Sequence, residues 1–272
     1  MNFVPIDVSI LVPALVAGLL VTATHVPLGT QVLARGIVFI DLAIAQIAGC
    51  GVLLADRAGF EPEGIAVQVA ALIAALAGAL LLTWTERRWP DVQEAVIGVV
   101  FVLAATGGIL LLASNVRGSE HLRDLLVGQI LWVQTQQLVW AALVYAAILA
   151  LWFGLKARLG RIGFYLLFAC AVTVSVQLVG VYLVFATLIV PPLATRALLS
   201  RRLPAAWGVG VAGYVAGLLV STSFDLPTGP VIVWTLAALG VLMHAFVSRR
   251  QTVAPSISNN GSPNPNGRNF ID

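Results

Sequence analysis

The chain has 272 residues, 60% of them hydrophobic and only 10% charged, with a net charge of +3. A soluble domain carries about 25% charged residues, so this composition excludes a free-standing soluble protein. The 15 basic residues, with Lys156 the single lysine, are scattered in short loops and form no basic stripe; they read as membrane orientation and exclude a nucleic-acid partner.

Apolar runs of about 20 residues, each long enough to cross a bilayer as a helix, recur along the sequence. Without a strict two-residue alternation they do not read as a β-barrel. The fold class is therefore an all-α integral membrane protein, a polytopic bundle of about eight transmembrane helices in contact with membrane lipid. The first run, residues 8–24, follows Asp7 without a basic stretch and reads as a first helix, not a cleavable leader. The others cover residues 37–55, 64–84, 95–113, 136–155, 162–190, 206–222 and 229–247. The sixth is too long for one straight helix and contains Gly180, where it is open to a break. A shorter apolar piece, residues 125–133, cannot cross and reads as interfacial or re-entrant. Residues 1–250 form the transmembrane domain; residues 251–272, rich in Asn, Pro, Ser and Gly, read as a disordered cytoplasmic tail. Cys50 and Cys170 lie in apolar runs and read as small buried thiols.

Arginine placement sets the orientation. Arg249 and Arg250 follow the last span, and Arg196, Arg201 and Arg202 lie between the sixth and seventh. Both groups read as cytoplasmic, and eight crossings then place both termini inside. Lys156, Arg158 and Arg161 object, since the same count puts them outside. Either the positive-inside tendency is broken there, or the sixth span is two short crossings.

Within the spans, Asp41 stands out. An ionisable group in a span costs a few kcal/mol on insertion scales, so it needs a partner, a cavity or a function. As a hard oxygen ligand it suits a divalent cation; the plain alternative is an interfacial residue paired with Arg35. Gln46, five residues on, is turned about 140° away on an ideal helix and reads as an interhelical hydrogen bond. Glu94 opens the fourth span, where the helix dipole favours a carboxylate, beside a transport role as ligand. Glu120 and His121 are adjacent and are metal-ligand candidates, against the reading of an ordinary solvated loop. His25 precedes Pro27 at the end of the first span and reads as an interfacial imidazole; His244 reads as structural. Gly210, Gly213 and Gly217 recur at helical spacing and suit close helix contact. No His or Cys pair has zinc-site spacing, and the chain carries no G-x-x-x-x-G-K-[ST]. ATP-driven work would need another polypeptide.

Five segments in order resemble the zinc/manganese/iron permease family of ABC transporters. They are His25-Val26-Pro27-Leu28-Gly29 with the run from Val32 to Asp41, then Glu94-Ala95-Val96-Ile97-Gly98-Val99-Val100-Phe101. Next come Asp124-Leu125-Leu126-Val127-Gly128-Gln129-Ile130-Leu131, and Val179-Gly180-Val181-Tyr182 through Pro191-Pro192. The last is Asp225-Leu226-Pro227-Thr228-Gly229-Pro230. The order is collinear over residues 8–247.

The resemblance implies an ABC importer permease of the bacterial inner membrane. It would form its pathway as a homodimer, with a separate ATPase subunit inside and an extracytoplasmic metal-binding protein outside. The chain would hold no tightly bound cofactor and no ATPase site of its own; its cargo would be a divalent metal, zinc or manganese foremost. Residues 191–203, with Pro191, Pro192, Arg196, Arg201 and Arg202, would be the ATPase-docking loop. In the family the Asp of the second helix is followed four residues on by a His, and here Ala45 stands at that position with Gln46 next. The family's acidic stretch before the sixth span is replaced by Lys156-Ala157-Arg158-Leu159-Gly160-Arg161. Three other readings are weighed beside this one. A permease of the same fold for a non-metal solute is kept open by the missing His. An ion-coupled secondary transporter would need more carboxylates in its spans than Asp41. An intramembrane enzyme would need a nucleophile–base cluster at membrane depth, and the sequence suggests none.

Overall fold

The computed structural model describes residues 8–61, 64–112, 130–198 and 200–253. They form eight α-helices: α1 Val8–Arg35, α2 Ile40–Arg57, α3 Ile65–Arg88, α4 Gln93–Leu112, α5 Thr135–Val179, α6 Val181–Ala194, α7 Arg202–Phe224 and α8 Thr228–Val253. No strand occurs among the described residues. Seven segments are long and apolar enough to cross a membrane: Ser9–Arg35, Ile65–Arg88, Pro90–Leu112, Thr135–Leu155, Arg158–Val179, Arg202–Phe224 and Thr228–Val247. The 18-residue α2 is set apart by its charges, Asp41, Asp56 and Arg57. The described residues form an all-α polytopic membrane bundle.

Helix α1 runs through Pro27 to Arg35, well past residues 24 and 25, where sequence reading ends the first span. Pro27 has no N–H to give the Ala23 carbonyl, and membrane helices tolerate such a residue within a bundle. Thr24 Oγ1 donates to the Leu20 carbonyl and Thr30 Oγ1 to that of Pro27, both at 2.6 Å. The helix ends at Gly36, whose φ is 69°. Gly36 N donates to Leu33 O and Ile37 N to Val32 O, the paired bonds of a glycine-terminated helix. Small residues set the packing. Gly51 of α2 lies against Ala70 and Ala74 of α3, Gly210 of α7 against Thr22 of α1, and Gly213 and Gly217 of α7 against Leu236 and Ile232 of α8.

These contacts fix the helix directions. Tyr214 lies against Gly18 and Gly210 against Thr22, so α7 runs antiparallel to α1; α8 runs back along α7 and parallel to α1. The end of α1 therefore meets the start of α7 at one end of the bundle. Arg35 lies over the Phe164 ring there at 4.3 Å, and Arg161 Nε approaches Glu86 Oε1 at 4.0 Å.

Helix α5 bends at Gly160, whose φ of 56° and ψ of −159° are open to glycine. Its second arm heads away from the arginine-rich end and stops at Gly180, with φ 81° and ψ 160°. Helix α6 then returns. Leu188 and Pro192 lie against Gly29 of α1, and Val190 against Gly240 of α8. With 14 residues α6 spans about 20 Å, short of the hydrocarbon core of about 30 Å. Gly180 is thus the vertex of a hairpin that opens toward the arginine-rich end. Irregular backbone is tolerated at membrane depth where protein buries it, and Val179 and Val181 are 0% and 3% exposed. Gly180 also joins both hydrogen-bond ladders, donating to Val176 O and accepting from Val184 N.

Two sequence expectations change in consequence. The sixth span is not one crossing but two arms of a hairpin, so Lys156, Arg158 and Arg161 share an end with Arg196, Arg201 and Arg202. The objection raised by their charge disappears. The expectation of both termini on one side fails, because α1 begins at the end opposite to the one where α8 finishes. Arg35, Arg87 and Arg88 lie at the arginine-rich end too, and among the described residues Arg57 is the basic residue at the other. Helix α8 continues to Val253, into the stretch expected as tail, and residues 254–272 lie outside the described residues. Of the short apolar piece at 125–133, the 3-10 turn Ile130–Trp132 is described, with Ile130 2% exposed. The backbone region of Gly180 is essentially restricted to glycine, so Gly180→Ala is expected to cost about 1–3 kcal/mol. Thermal unfolding in detergent should show a lower midpoint.

Candidate translocation pathway

Asp41 lies in the first turn of α2 and is 0% exposed. Neither carboxylate oxygen has a hydrogen-bond partner among the described residues. The alternative of an ion pair with Arg35 is not realised: that guanidinium lies over Phe164, and its Nη1 is itself without a partner. A buried carboxylate without neutralisation costs several kcal/mol in most settings, so its retention needs a reason beyond packing.

Ala45, Ala48, Gly49 and Val52 continue the face of α2 that Asp41 begins, at offsets of four, seven, eight and eleven residues. These four, with Gln46, form one wall of a cleft of about 30 Å³, room for about one or two waters. The opposite wall is Thr173, Val176 and Gln177 of α5 with Val181 of α6, beside the Gly180 vertex. Thr173 Oγ1 donates to Ala169 O at 2.8 Å and keeps its lone pairs. Sequence reading missed Thr173 and Gln177. The signal was present: two polar residues one turn apart in an apolar run, just before a glycine that breaks the helix.

The other candidates separate. Glu94, at the start of α4, accepts a hydrogen bond from Phe39 N at 3.3 Å. Phe39 precedes α2 and supplies no side-chain cap of its own, so Glu94 caps α2 from a neighbouring helix. Loss of that cap in Glu94→Ala is expected to lower stability by about 1 kcal/mol, with Glu94→Gln less affected; thermal unfolding of both variants checks it. Glu120 and His121 lie outside the described residues. His25 is buried within α1, 0% exposed, with Nδ1 3.1 Å from Val21 O; it is not interfacial. His244 is exposed. No group of three or more His, Cys, Asp or Glu that could hold a metal occurs among the described residues. Pro191 and Pro192 are buried in the last turns of α6, while Arg196 and Arg201 are exposed and Arg202 is half-buried. The prolines shape the end of α6, and the arginines form the accessible surface of the loop.

The ABC 3 transport family matches this chain over residues 7–156 and 149–247, nearly the whole bundle. A manganese transport system membrane protein of Halalkalibacterium halodurans is 26% identical over 262 residues, covering 88% of this chain and 87% of that protein. A high-affinity zinc uptake system membrane protein of Haemophilus influenzae is 25% identical over 260 residues, covering 86% and 96%. The fold is similar to that of a chain in the PsaBC complex of Streptococcus pneumoniae with a Fab. That match has a TM-score of 0.71 and 21% identity, and covers 89% of this chain and 95% of that one. A buried, unpaired acidic residue in a polytopic bundle and a family match along its length lead to one conclusion: the chain belongs to the ABC 3 transport family.

Proposed function

We propose that this protein is the membrane-spanning subunit of an ATP-driven importer of divalent metal ions, manganese or zinc, and works as a homodimer. The observation that carries this reading is Asp41, a carboxylate fully buried in the bundle with no hydrogen-bond partner among the described residues, in a chain whose relatives are named for manganese and zinc transport. A divalent cation imported along α2 would meet this charge last, as it reaches the arginine-rich end. Cytoplasmic loops carry excess arginine, so that end faces the cytoplasm. The N-terminal end of α1 then lies outside and the C-terminal end of α8 inside. Exposed Arg196 and Arg201 offer a separate ATPase subunit its docking surface, and an extracytoplasmic metal-binding protein would load the opposite end.

The test is ATP hydrolysis by the assembled complex in nanodiscs. Metal-loaded binding protein is expected to stimulate hydrolysis severalfold over metal-free protein, and the Arg196→Glu, Arg201→Glu double variant to lose the ATPase on co-purification. Hydrolysis indifferent to every divalent metal offered would contradict the reading.

A further inference from the structure

Two buried tyrosines grip the Gly180 hairpin, one on each arm. Tyr145, on the first arm of α5, hydrogen-bonds Ser175 on the second arm. Tyr214 of α7 hydrogen-bonds Thr187 of α6 at 2.9 Å. All four residues are at most 1% exposed. The number of hydrogens sets the direction of each bond. Ser175 Oγ donates to Ala171 O and Thr187 Oγ1 to Leu183 O, both at 2.7 Å. A serine or threonine hydroxyl has a single hydrogen to give, so the phenol donates in both pairs, onto an oxygen already fixed to its own helix.

Their places in the chain give these bonds leverage. Tyr145 and Ser175 are 30 residues apart, with the Gly160 bend midway. They close the two arms of α5 on each other about 22 Å from the bend, so the second arm cannot swing about Gly160 without breaking this bond. Tyr214 and Thr187 stand on the two helices that flank the exposed Arg196 and Arg201. Their bond makes α6 and α7 move together when that loop is pushed. The Tyr214 ring also lies against Gly18 of α1. Between the two tied points is the Gly180 vertex, where Val176, Gln177 and Val181 share a cleft with α2, the helix of Asp41.

We infer that Tyr145 and Tyr214 are positioning residues that hold the Gly180 vertex in place against α2, so that movement of the loop at Arg196 and Arg201 reaches the pathway instead of being lost in bending at Gly160 and Gly180. This rests on the import reading above and adds to it the side chains that join the ATPase surface to the pathway.

The test counts metal ions accumulated per ATP hydrolysed, in proteoliposomes holding the permease with its ATPase and binding protein. Wild type is compared with Tyr145→Phe, Tyr214→Phe and the double variant. Each phenylalanine keeps the ring and leaves Ser175 or Thr187 bonded to its carbonyl, so no buried donor is orphaned. The melting midpoint is therefore expected to fall by only about 2–4 °C per substitution. Ions per ATP are expected to fall about fivefold in each single variant, the shift that loss of one hydrogen bond allows, and about twentyfold in the double variant. Thr83→Val is the control. The Thr83 hydroxyl bonds only Ala79 O of its own helix, and its loss is expected to leave ions per ATP unchanged. Uptake and hydrolysis falling in proportion, with ions per ATP at the wild-type value in all three tyrosine variants, would overturn the inference and leave the import reading intact. Wild type that hydrolyses ATP and accumulates neither manganese nor zinc would overturn both.

Discussion

Asp41→Asn is expected to reduce metal uptake by about two orders of magnitude while leaving the fold at least as stable as before. The first part follows from charge: a carboxylate meeting a divalent cation away from water contributes about 3 kcal/mol, roughly a hundredfold. The second follows from its surroundings. Both oxygens are buried and unpartnered among the described residues, so the neutral amide removes a desolvation penalty without breaking a bond. The opposed signs matter, because a carboxylate kept for packing would show the reverse. Uptake in proteoliposomes and thermal unfolding in detergent, measured on one preparation, separate the two cases. A variant that transports normally but melts early would make Asp41 structural.

Gly29→Val is expected to prevent assembly of a folded, monodisperse protein. A Cβ at this position would be driven into the backbone carbonyl of Leu188 and against the Pro192 ring. Neither obstacle is the flexible end of a side chain. Pro192 has no N–H, so it cannot occupy the Leu188 carbonyl in the usual helical bond; that carbonyl faces α1 instead. The α1–α6 contact requires a residue without a side chain, and Gly29→Ala alone is expected to cost about 3 kcal/mol. Gly107→Ala is the control. It has open space around its Cβ and is expected to gain about 1 kcal/mol of helix propensity. Expression level, size-exclusion profile and melting midpoint read all three variants.

The membrane class, the helix positions and the buried acid were readable from residues because composition and hydropathy act locally. The Gly180 hairpin was legible only as an alternative, a break in a run too long for one straight helix. The run at 162–190 is apolar on both sides of the glycine, and hydropathy cannot distinguish a crossing from two arms that turn back. Charge did carry the information, since Lys156, Arg158 and Arg161 contradicted an eight-crossing count. Pro27 misled in the other direction: it looked like a helix end and put His25 at an interface, yet the helix carries the proline internally and runs through to Arg35. The bond between Glu94 and Phe39 joins residues 55 positions apart, and no local pattern announces it. Gln46 and Gln177 likewise meet through tertiary packing; each alone looks like an isolated amide in a span.

The measurement that bears most directly on the central claim is uptake of radioactive manganese and zinc into proteoliposomes holding the permease with its ATPase and binding protein. ATP-dependent accumulation of a divalent metal by wild type, at least tenfold above vesicles lacking ATP, is the predicted result. An assembled complex that hydrolyses ATP and accumulates neither metal would contradict the account and point to a permease of this fold serving a different solute.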